Sequence, residues 1–200
     1  MKQRIIKNAS ERFFSNGIKS VTMSDIAIGM GISKRTLYEI FNDKDELLEH
    51  CIFAHAERTD RELASITEKS DNVIDTLLHL HSKLLSATWY MARSVVHDMR
   101  KYHRPLYDRL EARQHQKISS FIPLFEKGVR QGLIRNDIPF EILLFLLKRQ
   151  FKTLMEDENL PTDRYPLSDC VNAMTLTFIR GIATSKGNNR IDEIIDNKLI

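Results

Sequence analysis

The chain has 200 residues, a formal net charge of +3 and two cysteines. This length supports a buried core without disulfide bonds or metal, and Cys51 and Cys170 stand in separate apolar segments, which excludes a disulfide framework and favours a reducing compartment. The N-terminus lacks the apolar run of a signal peptide, and the longest apolar run, residues 142–147, is too short to cross a bilayer. We therefore expect a soluble, cytoplasmic protein with no membrane partner.

The first predicted helix is amphipathic and lies in a basic segment. Ile5, Ile6, Ala9 and Phe13 recur at three- to four-residue spacing, and Gly17 follows where a left-handed residue ends a helix. Residues 1–44 hold eight Lys and Arg residues against four Asp and Glu residues, while a second basic cluster occupies residues 100–117. Because the total charge is small, its distribution matters more than its sum for binding to nucleic acid.

Capping signals predict the starts of the next three helices. Thr22 with Asp25 three residues later is a variant of the capping box, and the second helix ends at a glycine turn. Ser33 is a good N-cap for a third, very short helix. Asp43 with Glu46 caps a long fourth helix. The pattern is three short helices and then a long one, without the alternation of β-strands, which indicates an all-α protein.

Beyond residue 70 the predicted elements are longer. Residues 71–102 predict one bent helix or two, and residues 105–131 predict a helix that begins at Pro105 and is kinked at Pro123. Two further helices are predicted within residues 139–156 and 166–184, separated by a polar loop. We expect the last dozen residues to form a loosely attached tail.

The second and third helices have the order of a helix-turn-helix, whose second helix typically lies in the DNA major groove. At 100° per residue, with Leu37, Ile40 and Phe41 turned inward, Arg35 and Glu39 point away from the core. The same spacing also fits a structural helical hairpin with a solvated outer face.

The side chains of the third helix suit contact with DNA. Lys34 and Arg35 supply cations near phosphate, and Arg can also pair bidentately with guanine O6 and N7. Thr36 can bond a base edge or a phosphate, and Tyr38 offers a ring for a thymine methyl group and a hydroxyl for phosphate. Glu39 would repel phosphates unless it accepts a bond from cytosine N4 or faces solvent.

Two residues at other helix starts, Thr22 and Lys44, are candidate phosphate contacts. Such contacts fix the register of a protein on the duplex without reading its sequence. The predicted interface therefore combines groups that read bases with groups that hold the backbone.

Residues 17–48, GIKSVTMSDIAIGMGISKRTLYEIFNDKDELL, resemble the N-terminal DNA-binding domain of TetR-family transcriptional regulators. The matching features are the T-x-x-x-I-A run from Thr22, the GIS turn, TLY at 36–38, Phe41 and DKDELL. Arg35 and Ile40 depart from the pattern, since glycine and an aromatic residue are common there, so the operator sequence cannot be taken from relatives. The resemblance implies DNA contacts at Thr22, Ser33, Lys34, Thr36, Tyr38 and Lys44, to which the geometry adds Arg35.

The resemblance implies a ligand-responsive regulator, expected to be a repressor, that binds a palindromic double-stranded DNA operator as a homodimer. Residues 1–47 would form a three-helix DNA-binding domain, and residues 48–200 a helical ligand-sensing and dimerisation domain. Residues 142–155 are apolar on nearly every side and are expected to pair with the helix from residue 171. The expected dimer interface comprises residues of about 140–155 and 167–183, although an ordinary monomer core fits the same apolar surface.

The resemblance also implies an unknown small-molecule effector, enclosed by the middle helices. An apolar pocket with polar groups could be lined by aromatic and titratable residues, namely Trp89, Tyr90, Arg93, His97, Phe121 and Phe125. Aromatic residues at helical spacing also form plain core. The sequence does not identify the ligand.

An enzyme is the competing class. His79 and His81 are two residues apart on a predicted helix and point to different sides, whereas a helical metal site needs a spacing of three or four. The sequence contains no nucleophile elbow, no phosphate-cradling glycine loop and no CxxC motif. We therefore expect no catalytic site, metal or cofactor. An all-helical enzyme, or a helical adaptor whose short basic helix is structural, is the alternative.

Overall fold

The computed structural model describes residues 1–70, 72–86 and 93–197. These residues confirm the all-α prediction, because they form helices and no strand apart from an isolated antiparallel bridge between Ile134 and Ala183. The helices are α1 Lys2–Asn16, α2 Met23–Met30, α3 Lys34–Ile40, α4 Lys44–Lys69, α5 Val73–Leu85, α6 Arg93–Tyr102, α7 Arg104–Ile118, α8 Ile122–Arg130, α9 Phe140–Glu156, α10 Leu167–Ile182 and α11 Ser185–Asp196.

The described residues form two compact units. The first unit, here called the reading unit, holds Met1–Arg61 and the described part of residues 91–112. The second unit holds the described parts of residues 62–90 and 113–200. The division into a DNA-binding domain of residues 1–47 and a sensing domain of residues 48–200 stays a prediction.

The core of the reading unit is built from the apolar faces of its short helices. The predicted stripe of α1 is buried, with Ile5, Ala9 and Phe13 at 0% exposure. α3 contributes Leu37, and Phe41 follows it, both also fully buried. Each helix is too short to be stable alone, so this shared burial is what holds the unit together.

α6 belongs to the reading unit through polar contacts as well as buried Val95 and Met99. The carboxylate of Asp98 accepts a bond from the backbone N–H of Lys19 at 3.0 Å. His103 Nδ1 lies 3.2 Å from the carboxylate of Asp45 at the start of α4. The helix-turn-helix and α6 are therefore held in one compact body.

The second unit has its own core around α5, α8, α9, α10 and α11. Phe125 of α8 is buried at its centre, where its ring stacks on Phe140 with centroids 5.1 Å apart and meets Phe178 edge-on at 6.3 Å. Backbone bonds from Arg135 N–H to Ile182 and from Thr184 N–H to the carbonyl of Leu133 join the loop before α9 to the end of α10. α9 and α10 pack against each other, as predicted.

The predicted kink at Pro123 is wrong, because the chain breaks there into separate helices. α7 ends at Ile118, a 3-10 turn covers Ser119–Phe121, and α8 begins at Ile122 with Pro123 in its first turn. Proline has no N–H, which costs nothing in a first turn but would leave a gap in the hydrogen bonds of a continuous helix.

The predicted loose C-terminal tail is also wrong. Residues 185–196 form α11, which packs against α5 and buries Ile191 and Ile194. Arg190 holds the carboxylate of Asp75 on α5 with two bonds of 2.9 Å each. The tail prediction failed because α11 is mostly polar and presents only a few apolar residues to the core.

Both cysteines are free thiols. Cys51 is buried, and this burial raises the pKa of its thiol to about 11. The thiolate is the reactive form, so Cys51 is inert at neutral pH and its role is to fill the core.

Truncating Ile191 tests whether α11 is part of the core. We expect Ile191→Ala to lower the free energy of unfolding by about 2–5 kcal/mol, since the side chain is fully buried. Urea unfolding followed by circular dichroism measures this. The matched control, Ile195→Ala, alters an isoleucine that is 45% exposed on the same helix and should have little effect. Equal, small changes in both variants would show that α11 is not packed.

Candidate nucleic-acid interface

The predicted helix-turn-helix is present and is built by two caps and a glycine turn. Thr22 caps α2 in a full capping box with Asp25. Gly31 ends α2 in the left-handed region, with φ of 65°, where a residue with a Cβ would be strained. Ser33 then caps α3 by accepting the backbone N–H of Thr36 at 3.0 Å.

The outer face of α3 carries two side-chain pairs, each spanning four residues. Arg35 Nε donates to Glu39 Oε1 at 3.0 Å, and the arginine side chain is 89% exposed. Lys34 Nζ lies 5.8 Å from the ring centroid of Tyr38. Both pairs follow from the helical repeat. Since Glu39 is paired with a neighbouring cation, the carboxylate is partly neutralised on the face that would meet DNA.

The guanidinium of Arg35 has a second edge that the bond to Glu39 does not use. The bond to Glu39 uses Nε, and the terminal nitrogens of Arg35 form the second edge that a guanidinium can present to guanine O6 and N7. An exposed pair of this kind contributes little to stability. Its effect is to orient the guanidinium.

Ser33 and Thr36 are tied to each other at the start of α3. Their hydroxyl oxygens lie 2.8 Å apart, in addition to the capping bond from the Thr36 N–H. Both residues lie at the exposed start of the helix, where the predicted DNA contacts remain untested. Their first function in the fold is to begin α3.

Thr22 also has a structural role, because it caps α2. Its hydroxyl donates to Asp25 Oδ2 at 2.7 Å and accepts the Asp25 N–H at 3.2 Å, while Asp25 Oδ2 also accepts the Thr22 N–H at 2.8 Å. These bonds from Thr22 hold the pKa of the Asp25 carboxyl below its usual value. The carboxylate is thus ionised at neutral pH, and the capping box is intact there.

Lys44 has a structural bond that the sequence did not predict. Its ammonium group donates to the carbonyl oxygen of Ile18 and lies 5.8 Å from the centroid of the Phe13 ring. Partial burial lowers the pKa of Lys44. The bond joins the loop after α1 to the start of α4, so the position of this cation is fixed by the fold.

The candidate effector residues do not gather in one described unit. Trp89 and Tyr90 lie outside the described residues. Arg93 and His97 lie one turn apart on α6 of the reading unit, both partly buried. Phe121 and Phe125 belong to the core of the second unit, so Phe125 has a packing role whether or not it meets a ligand.

The histidines considered for a metal site have separate partners. His79 Nδ1 lies 2.8 Å from the carbonyl oxygen of Asp75, and His81 Nδ1 lies 2.6 Å from the Thr175 hydroxyl. Within residues 1–70, 72–86 and 93–197, no three histidine, cysteine or acidic residues are grouped to hold a metal ion. No helix among the same residues is long and apolar enough to cross a membrane.

Comparison with known proteins identifies a family match in the N-terminal segment and relatives that cover 70% of this chain. Residues 5–51 match the profile of the bacterial regulatory proteins of the tetR family. The HTH-type transcriptional regulator YvaF of Bacillus subtilis is 26% identical over 142 residues, covering 70% of this chain and 73% of that protein. The HTH-type transcriptional repressor KstR2 of Mycobacterium tuberculosis is 22% identical over 143 residues, covering 70% and 72%.

The fold is also similar to solved structures. A transcriptional regulator from Cytophaga hutchinsonii superimposes with a TM-score of 0.72 at 20% identity, over 91% of this chain and 98% of that chain. A helix-turn-helix with a polar, cation-bearing outer face in an all-α chain is the architecture of a DNA-binding regulator. The segment of residues 5–51 matches the tetR family of bacterial regulatory proteins, and the matched relatives are HTH-type transcriptional regulators rather than enzymes, which supports a DNA-binding transcriptional regulator.

Replacing Thr22 tests whether its capping bonds stabilise the helix-turn-helix. We expect Thr22→Ala to lower the free energy of unfolding by about 1 kcal/mol, because the first turn of α2 loses its side-chain acceptor. Thr22→Ser keeps the hydroxyl and should match the wild type. Urea titrations of the three proteins make the comparison, and an alanine variant as stable as the serine variant would contradict the capping role.

Proposed function

We propose that this protein is a repressor that binds a palindromic operator as a homodimer and is released from DNA by a small molecule in the cytoplasm. The observation that carries the proposal is the outer face of α3, where Arg35, Lys34 and Tyr38 are exposed together on a helix whose inward-facing Leu37 is fully buried. A surface of this composition on the second helix of a helix-turn-helix suits the major groove.

Arg35 is the proposed base-reading residue. Its guanidinium is largely exposed and is held on one side by Glu39, which supports a fixed approach to guanine. Tyr38, which is 43% exposed, offers its ring and hydroxyl from the next position on the same face. Thr36 is the third candidate, through a hydroxyl that can serve either a base or a phosphate.

The remaining predicted contacts would hold the DNA backbone. Lys34 is exposed beside Tyr38, and Lys44 is fixed by its bond to Ile18. Thr22 and Ser33 sit at the starts of α2 and α3, where hydroxyl and backbone N–H groups commonly meet phosphates. Together these residues would set the register of the protein on DNA, while leaving base preference to α3.

The dimer proposal is supported by an unpartnered apolar surface on α9 and α10. Ile142, Phe145 and Leu146 are 57%, 50% and 48% exposed, although they lie in the most apolar segment of the chain. A groove of about 820 Å³ runs beside them, lined by residues of both helices such as Leu147 and Met174. A contiguous apolar surface of this kind marks an interface, and a two-fold dimer would supply the second reading unit that a palindrome needs.

The effector proposal is supported by the position of α6. This helix carries the candidate effector residues Arg93 and His97 and also bonds the loop before α2 through Asp98. A ligand that moved α6 would therefore move residues that support the helix-turn-helix. Trp89, Tyr90, Phe121 and Phe125 stay candidate lining residues on the sequence prediction alone.

Repression is the proposed direction of control. The relative KstR2 is named a repressor, and a protein that covers its operator can block polymerase without a further contact. Activation would require an additional surface that recruits polymerase.

Substitutions at Arg35 and Glu39 test base reading by α3. We expect Arg35→Ala to reduce discrimination at one base pair in each half-site by about 1–3 kcal/mol. Glu39→Gln should strengthen binding to unrelated DNA, because a negative charge is lost, and should weaken the preference at the same base pair, because Arg35 loses its orienting partner. Competition titrations with duplexes changed one base pair at a time measure both effects.

The control for these variants is Arg130→Ala, which removes an exposed arginine from α8 in the second unit. It should leave base preference unchanged. If Arg35→Ala kept the wild-type preference at every position, α3 would not read bases through this residue.

A charge on α9 tests the dimer interface. We expect Phe145→Asp to shift the mass in solution from twice the 23.3 kDa chain mass to the chain mass, since an unpaired carboxylate would be buried in the interface. Light scattering after size exclusion measures the mass. Ile28→Asp, which changes an isoleucine 78% exposed on α2, should remain dimeric. A wild-type mass equal to one chain would exclude the dimer.

A further inference from the structure

An exposed tyrosine at the end of α6 lies near the ammonium groups of two lysines from separate segments of the chain. The ring of Tyr102 is 49% exposed, and the ammonium groups of Lys19 and Lys101 lie 5.7 and 5.4 Å from its centroid. Lys19 comes from the loop between α1 and α2, and Lys101 from α6. We call these three residues the lysine–tyrosine cluster. Two cations near one ring gain some cation–π energy, but they repel each other unless an anion lies nearby.

Two members of the cluster, Lys101 and Tyr102, lie within the second basic segment of the sequence, residues 100–117. Other cations of that segment are paired with acids: Arg104 with Asp108 at 2.9 Å, and Arg109 with Glu49 at 2.6 Å. The acid beside the cluster is Asp98, whose carboxylate accepts the backbone N–H of Lys19. Lys101, in contrast, places its charge over an exposed ring.

Chain connectivity places the cluster beside two of the proposed phosphate contacts. Lys19 follows Ile18, the residue whose carbonyl accepts the Lys44 ammonium. It also precedes Thr22 by three residues, so the two Cα atoms are at most about 11 Å apart at 3.8 Å per residue. A DNA strand held at Thr22 and Lys44 would therefore pass close to Lys19 and to the residues that adjoin it.

We propose that the lysine–tyrosine cluster is a second phosphate-binding surface, which extends the DNA contact from the helix-turn-helix to α6. The two ammonium groups would make charge-assisted bonds to phosphate oxygens of one strand, and the Tyr102 hydroxyl would donate to the same backbone. None of these groups would read a base. The surface adds affinity that depends on salt and leaves sequence preference unchanged. This inference rests on the proposed function, since it assumes that α3 binds duplex DNA.

The salt dependence of DNA binding tests the cluster in the full-length protein. Fluorescence anisotropy with a duplex recovered by selection gives the slope of log affinity against log KCl concentration. Because a homodimer loses one phosphate contact in each protomer, we expect Lys19→Gln and Lys101→Gln each to reduce the magnitude of the slope by about 1.8, and the double variant by about 3.6. Tyr102→Phe should weaken binding with an unchanged slope, because it removes a neutral donor.

The matched control is Lys186→Gln, which removes one exposed lysine from α11 of the second unit and changes the net charge equally. Its slope should equal that of the wild type. Thermal unfolding checks that each variant folds, and if Lys19→Gln does not, the exposed Lys101→Gln decides the question alone.

The outcomes separate this inference from the function on which it rests. Binding by the wild type with wild-type slopes in both lysine variants would overturn the phosphate surface and leave the regulator proposal intact. A loss of affinity in the lysine variants without a change in slope would also overturn it, because a lost lysine–phosphate contact must reduce the slope. Absence of any duplex binding by the wild type at low salt would contradict the proposed function and this inference with it.

Discussion

The orientation of a helix of seven residues, α3, is the constraint on which the proposed DNA-binding surface depends. A helix this short is unstable in isolation, so its direction must come from its surroundings. The complete burial of Leu37 and Phe41 sets the direction of α3. The Gly31 turn and the Ser33 cap fix where the helix starts. With the inner face held, Arg35 is carried outward on the opposite side. The proposed recognition face is thus a consequence of the core beneath it.

The loop between α1 and α2 connects this surface to the rest of the reading unit. Its Ile18 carbonyl is held by Lys44 from α4, and its Lys19 N–H is held by Asp98 from α6. The single peptide group between Ile18 and Lys19 is therefore held at its carbonyl and at its N–H by two different helices. Any change in the position of α6 acts on the segment that leads into α2, which gives a physical route for coupling between a ligand near α6 and the helix-turn-helix.

Bonds between residues close together in the sequence were predictable, whereas bonds and packing that involve distant residues were not. The caps at Thr22 and Ser33 were visible because each bond spans only three residues, and the buried stripe of α1 follows from its spacing. The Lys44 bond could not be predicted, since Ile18 is 26 residues away. α11 was missed because a mostly polar helix that buries few residues gives a weak periodic signal. The Arg35–Glu39 pair has the helical spacing of four, but only the structure shows that the two side chains bond to each other.

In the proposed complex, two copies of this chain present their α3 helices to a palindromic duplex. The experiment that tests this arrangement is selection of bound sequences from a random duplex pool by the purified protein. We expect enrichment of an inverted repeat whose half-sites are separated by about one helical turn, 10–10.5 base pairs, or a multiple of it. Enrichment of a single unrepeated site would contradict the two-fold dimer. Recovery of no sequence above background at low salt, with or without cell extract, would contradict DNA binding itself.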